Sequence, residues 1–519
     1  MKYSYFNAAL IVLFILFVSA LSFFSHEGFP KSESSSISFP FLSEKPITED
    51  GYYALTVAWN IGSGKGITYN YSGETTGFQP LYVFLLSVIA KALNIFGWGK
   101  IEFVRAVLLF SGLLLLIFLL VIRNISKFLL AAYDNKYVGL LSTLLVLFNY
   151  KVFLNFFNGL ETGLYLIFIS LTIFYSIRII SNDLKLGNLF YLGLLLGLTT
   201  LARIDFVLPA FLFLVYLVYK RKMKLIQFAY VIFIYSLLLI PWLIYVFSVT
   251  HSFIPTSVLV QSAVPSFYEF HYRVDQLVHS VLNPFVPFYF TGLKSTILFY
   301  IPSIFILLVL YKIFLAEKHI YKLEQIRIFY IWGLSFIPLI IVYGIYSSVP
   351  YFFFRYLSFL LVFTLPILIT MLGDYFVNHR KELVPSIILL AIILFSVNCY
   401  VGLFSARKGS SLAVRADFLI KNIPTGQKIG IFQSGIAGFY SEDVVNLDGK
   451  MNFKALEYAK KGVLDKYIDS LKIDILLEWK EGFVLLRKSY LENNWSKFPE
   501  TVPDNRSIIY LRKKQLNNI

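Results

Sequence analysis

Cysteine is nearly absent: Cys399 is alone in 519 residues. That excludes a disulfide framework and any cysteine-built metal site. Charge is scarce too, at 15% of residues, and carboxylates are fewer than basic side chains, 30 against 46. Nucleotide and protease motifs are also missing. The GSGKG stretch at 62–66 lacks Walker spacing, because Trp59 stands where the first glycine belongs and Gly66 where Ser or Thr must follow Lys65. Ile67 replaces the third glycine of a dinucleotide fingerprint, and no HExxH occurs. His271, Arg273 and His279 have no ligand-like spacing, so no metal site is expected. Without an ATP site, the energy for any synthetic step has to arrive in the substrate.

What the chain has instead is apolar surface, 58% hydrophobic residues. Runs near the ~20 residues needed to cross a bilayer fall at about 5–24, 79–97, 103–122, 138–157, 160–178, 187–202, 205–219, 225–248, 295–315, 328–347, 352–373 and 384–404. This is the pattern of a polytopic α-helical membrane protein. Val18-Ser19-Ala20 resembles a cleavage site, but the run continues through Phe24, so an uncleaved anchor is expected. The net charge of +16 does not point to nucleic acid, because the basic residues sit in short loops between apolar runs, where they set orientation. If all twelve runs cross, those loops fall on both sides. If 79–97, opened by Gln79-Pro80 and carrying Lys91, lies in the interface instead, the Arg123/Lys127, Arg178/Lys185, Lys220–Lys224, Lys312–Arg327 and Arg380-Lys381 loops share the cytoplasmic face. The opposite loop 248–294 is poor in Lys and Arg, with only Arg273 and Lys294. About eleven spans follow, with the N-terminus inside.

That topology gathers the unusual residues on the outer rim. They are Glu49 and Asp50 in the outer loop 26–78, Glu161 in FNGLETG, Arg203 and Asp205 in LARID, the loop 248–294, and Arg355 in SSVPYFFFRY. Each also has a purely structural reading. Asp50 can cap a helix, Glu161 can be a solvated loop acid, and Tyr52, Tyr53 and Trp59 can form an interfacial belt. Arg203 and Arg355 can snorkel; alternatively, a guanidinium there grips a lipid phosphate through a bidentate fork. Residues 405–519 read as a small C-terminal α/β domain. QKIGIFQ, VVNLDG, IDILLEW, GFVLLRK and SIIYLRKK are expected strands, and FKALEYAKKGVLDKYIDSLK a helix.

The order of TEDGYYALTVAWNIGSGKG after the first anchor, then NGLETGLYL, LARID, PWLIYVFSVTHSFIPTS and FRYLSFLLVFTLP, resembles the GT-C superfamily of lipid-phosphate-sugar-dependent glycosyltransferases. The protein O-mannosyltransferases and the lipid A aminoarabinose transferase are members. The similarity spans residues 1–404, and GIFQSGIAGFYSEDVVNLDGKMN resembles the extracytoplasmic tail of some members. The resemblance implies a transmembrane domain over 1–404, an extracytoplasmic domain over 405–519, and residence in a bacterial cytoplasmic membrane. The donor it implies is a polyprenyl-phosphate-linked hexose or pentose, and the acceptor a glycan, lipid or protein. No cofactor is implied. It also implies Asp50 as catalytic base with Glu49 beside it, Glu161 as second acid, and Arg203 or Arg355 on the donor phosphate. Tyr52, Tyr53, Gln79, Asp205, His271 and Arg273 are then the candidates to line the substrate cavity. Many members carry two adjacent aspartates and His-Pro where this chain has Glu49-Asp50 and Gln79-Pro80. A transporter or flippase for lipid-linked saccharides, and a polymerase or ligase using the same donor, are the rival readings. A transporter is expected to carry mid-membrane polar groups and internal repeats.

Overall fold

The computed structural model describes residues 2–23, 46–129, 136–180, 185–263, 270–282, 323–346, 352–378, 384–399, 412–498 and 507–513. The run at 295–315, expected to span, lies outside them, as do 24–45 of the first outer loop. Five described helices are long and apolar enough to cross a bilayer: Tyr5–Phe23, Lys100–Leu129, Thr162–Ile180, Leu225–Thr250 and Arg327–Ile345. A sixth forms if Tyr137–Leu147 and Tyr150–Phe157 count as one span bent by 58°. The bend has a local cause. Asn149 accepts hydrogen bonds from the amides of Lys151 and Val152, so its side chain caps a new helix inside the apolar run.

Pro80–Ile95, Leu186–Ala202, Ile204–Tyr219 and Leu360–Gly373 are shorter apolar helices. At 1.5 Å per residue, the 16 residues of Pro80–Ile95 reach about 24 Å, less than a hydrocarbon core of about 30 Å. This helix packs along Glu49–Gly62, which is amphipathic and nearly all buried.

The tail is built on one mixed sheet in the order β2-β1-β3-β5-β4. Its strands are β1 (Ile429–Ile431), β2 (Val444–Asn446), β3 (Ile475–Trp479), β4 (Trp495–Lys497) and β5 (Ser507–Arg512). β1 runs parallel to β2 and β3, while β5 is antiparallel to β3 and β4. Two expectations are corrected. GFVLLRK is not a strand: Lys480–Leu485 is a 3-10 helix, because Phe483 and Leu486, three apart, turn into the core while Val484 and Leu485 stay exposed. The long helix expected over 453–472 is two, Phe453–Lys460 and Leu464–Ser470, broken at Gly462, whose φ is +68°.

The loop after β1 is held by a buried ion pair. Arg415 Nη1 donates to Glu478 Oε1 at 2.6 Å, with both side chains almost fully buried. Glu478 Oε2 accepts from the amides of Phe432 and Gln433, each at 2.9 Å. These bonds fix the backbone of Phe432 and Gln433 just ahead of Ser434–Ile436, where the tail meets the outer loop.

Candidate active site

The Glu49–Gly62 helix begins on Thr48, whose hydroxyl accepts from the Gly51 amide at 3.2 Å. Thr48, not Asp50, is therefore the N-cap. The Thr48 amide and hydroxyl both donate to the Asn158 carbonyl at 3.0 Å, so the helix start is pinned to the turn that carries Glu161. Neighbouring helix positions point about 100° apart, and this separates the two acids. Glu49 faces the tail, accepting from the amides of Gly435 at 2.5 Å and Ile436 at 3.0 Å. Asp50 faces two cations: Arg355 Nη1 is 3.3 Å from Oδ2 and Lys450 Nζ is 3.3 Å from Oδ1.

The two acids also titrate apart. Burial works to raise the Asp50 pKa, but Lys450 and Arg355 outweigh it and hold the carboxyl below the ordinary carboxylate range. Glu49 goes the other way. Burial lifts it to about 7, against the lowering effect of Arg415 and of the two amides. A carboxyl raised in the folded state favours that state below its ordinary pKa and loses the contribution as pH climbs through the folded value. Tail docking is therefore expected to loosen between about pH 4.5 and 7. Hydrogen exchange at the Gly435 and Ile436 amides should quicken across that window beyond the intrinsic rate. Glu49→Gln, which cannot ionise, should flatten the trend; an unchanged slope in the variant would remove Glu49 from the latch.

Arg203 is buried and fully engaged. It donates to Asp205, to the Tyr343 hydroxyl at 3.1 Å and to the Arg355 carbonyl at 3.2 Å. The rings of Tyr165 and Tyr356 lie 5.1 and 5.7 Å from its guanidinium. Asp205 also accepts from Tyr343. Gln79 Oε1 accepts from the Ile204 amide at 3.2 Å, steadying the same turn. This cluster braces the backbone of Arg355. Arg355 itself lies 5.1 and 5.2 Å from the rings of Phe352 and Tyr356. Glu161 is partly buried, and its charge acts on Arg355, Arg203 and Tyr82.

The other candidates make their hydrogen bonds elsewhere, although the Tyr53 ring lies 5.8 Å from Lys450 Nζ and the helix Phe270–Leu282 packs on Phe353–Tyr356, which carries Arg355. Tyr52 is buried against the rings of Phe439 and Tyr440. The Tyr53 hydroxyl accepts from the Ser434 amide at 2.9 Å and donates to the Phe432 carbonyl at 3.4 Å. Both tyrosines are engaged by the tail. Arg273 is buried and donates to the carbonyls of Gly344 and Ile345, and His271 is exposed on Phe270–Leu282. Among the described residues no three His, Cys, Asp or Glu side chains come together as a metal site.

Sequence reasoning missed Lys450. Its signal was present, an Asp-Gly-Lys turn inside the tail segment that carried the resemblance. The tail joins the outer loop through further bonds: Tyr69 to the Ser434 carbonyl at 2.7 Å, Asn70 to the Gly438 carbonyl at 2.7 Å, and Lys65 to Glu442 at 2.5 Å. Gly435 is required there, because a Cβ would fall 2.1 Å from the Glu49 carbonyl oxygen.

No protein-family profile matches the chain, and no curated protein matches it. Solved structures do. Two crystal structures of ArnT from Cupriavidus metallidurans superpose over 97% of both chains. The one bound to undecaprenyl phosphate has a TM-score of 0.58 at 11% identity, and the apo form 0.59 at 13%. The Archaeoglobus fulgidus oligosaccharyltransferase, in complex with Zn and sulfate, matches 98% of this chain and 73% of its own with a TM-score of 0.54 at 13% identity. The chain has the GT-C fold, that of a multi-pass membrane protein.

Proposed function

We propose that this chain is a glycosyltransferase that moves a hexosyl or pentosyl unit from a polyprenyl-phosphate donor to a hydroxyl or amine of a glycan, lipid or protein. The observation that carries this reading is the Asp50 carboxylate, held between Arg355 and Lys450 at the start of a buried helix, in a fold shared with a structure that binds undecaprenyl phosphate. Asp50 takes the acceptor proton as the acceptor oxygen or nitrogen bonds to the anomeric carbon. The carbon–oxygen bond to phosphate breaks on the opposite face, and its electron pair leaves with polyprenyl phosphate. Arg355 meets that charge, and Glu161, whose charge acts on Arg355, orients the acceptor. The anomeric centre inverts. In the orientation proposed, about eleven spans put the N-terminus in the cytoplasm and this centre, with the tail, outside the bacterial cytoplasmic membrane.

Purified protein in liposomes, given labelled polyprenyl-phosphate sugar and membrane extract, should release one polyprenyl phosphate per sugar transferred. A labelled donor that crosses the vesicle uncleaved would assign the chain to the transporters instead. Release that needs a nucleotide sugar would reject the lipid-linked donor.

A further inference from the structure

Lys450 does two things that a docking contact need not do. Its backbone is immobilised: the Lys450 amide donates to Asp448 Oδ1 at 2.8 Å, and the preceding Gly449 has a φ of +85°. On the other side its carbonyl oxygen lies where a Cβ on Gly77 would come within 2.0 Å, so glycine alone fits. The side chain, by contrast, is about a third exposed, and its ammonium donates to Asp50 through a long hydrogen bond. Nζ is 3.3 Å from Asp50, 3.9 Å from Asp448 and 5.8 Å from the Tyr53 ring centre. Charge-assisted bonds close to about 2.7–2.9 Å, and the Lys65–Glu442 pair of the same interface is at 2.5 Å. The Arg355 contact to Asp50 is equally long, and the buried Arg355 Nε has no hydrogen-bond partner among the described residues. Two cations therefore each hold one oxygen of the carboxylate, through long hydrogen bonds of 3.3 Å. Arg355 is wedged between aromatic rings and braced by Arg203; Lys450 hangs on a flexible four-carbon stem.

A carboxylate clamped by two cations is a weak base, yet the reaction proposed above needs a free base and a neutralised leaving group together. Resting on that reading, we propose that Lys450 is the tail's own donor-phosphate ligand: its ammonium leaves Asp50 for the lipid-linked phosphate, which frees the base and completes the phosphate site in one movement. Donor entry and base activation are then a single event, and the tail is part of the binding site.

The test is binding of a polyprenyl phosphate to the full-length protein in nanodiscs, so that no transfer is required. Lys450→Met should weaken it at least about tenfold, the loss of one charged hydrogen bond, while Lys450→Arg stays within about threefold of wild type. Amide exchange over 432–446 should remain at the wild-type rate in both variants. Wild-type affinity in Lys450→Met would overturn the proposal and leave the transferase reading intact. Equal weakening in both variants, together with faster exchange over 432–446, would make Lys450 a docking contact and overturn it too. Absence of saturable binding by wild type would reject the donor assignment beneath it.

Discussion

Asp50→Asn should lower sugar transfer by about 10²–10⁴-fold, the range that a positioned general base contributes. The substitution keeps the shape of the side chain and removes its ability to take a proton. It also removes the negative charge that Arg355 and Lys450 share at 3.3 Å, so both cations become available to phosphate. Donor affinity should hold or improve while kcat collapses, a split that misfolding would not produce. Asp50→Ala should lose as much turnover. Turnover above about a tenth of wild type in a folded Asp50→Asn protein would exclude Asp50 as the base. Glu49→Gln should by contrast retain turnover at low pH, because its partners are the tail amides of Gly435 and Ile436.

Arg415→Met should destabilise the tail by about 3–5 kcal/mol, the usual cost of leaving one member of a buried pair uncompensated. Arg415 and Glu478 have relative side-chain exposures of 1% and 2%, so water cannot replace the lost partner. The damage should spread along the chain, since Arg415 also donates to the Gln433 carbonyl, and Glu478 holds the amides of Phe432 and Gln433. Those residues lead directly into Ser434–Ile436, where Tyr53, Tyr69 and Glu49 grip the tail. Transfer should fall with the tail although Arg415 touches no reacting atom. Replacing both partners by Met should recover much of the stability, because the buried charge goes with them. Hydrogen exchange over 429–446 in the intact protein measures this. A cost below about 1 kcal/mol would show that the three amide donors to Glu478, from Phe432, Gln433 and Trp479, suffice without the guanidinium.

Much of the fold was legible because membrane crossing is written in composition. Long apolar helices such as Lys100–Leu129 and Leu225–Thr250 announce themselves in hydropathy, and an acidic pair directly after an anchor stands out where carboxylates are few. The kink at Asn149 and the turn at Phe483–Leu486 were less visible, since each rests on where one side chain finds a partner. The roles of the polar residues were least visible of all. Arg203 and Arg355 look alike at the ends of apolar runs, yet one is enclosed by Asp205, Tyr343 and the Arg355 carbonyl while the other reaches Asp50. Tyr52 and Tyr53 read as a membrane belt and are covered by the tail instead.

By itself the sequence determined that this chain is built of apolar helices, several long enough to cross a bilayer, and that a carboxylate follows the first of them, because hydrophobic length and charge scarcity are local properties. The tertiary structure alone decided that Glu49 latches the tail while Asp50 meets Arg355, and that Lys450, 400 positions away, completes the pair. The reason is geometric: a helix turns adjacent side chains about 100° apart, and what each then meets depends on chain segments that only folding brings alongside.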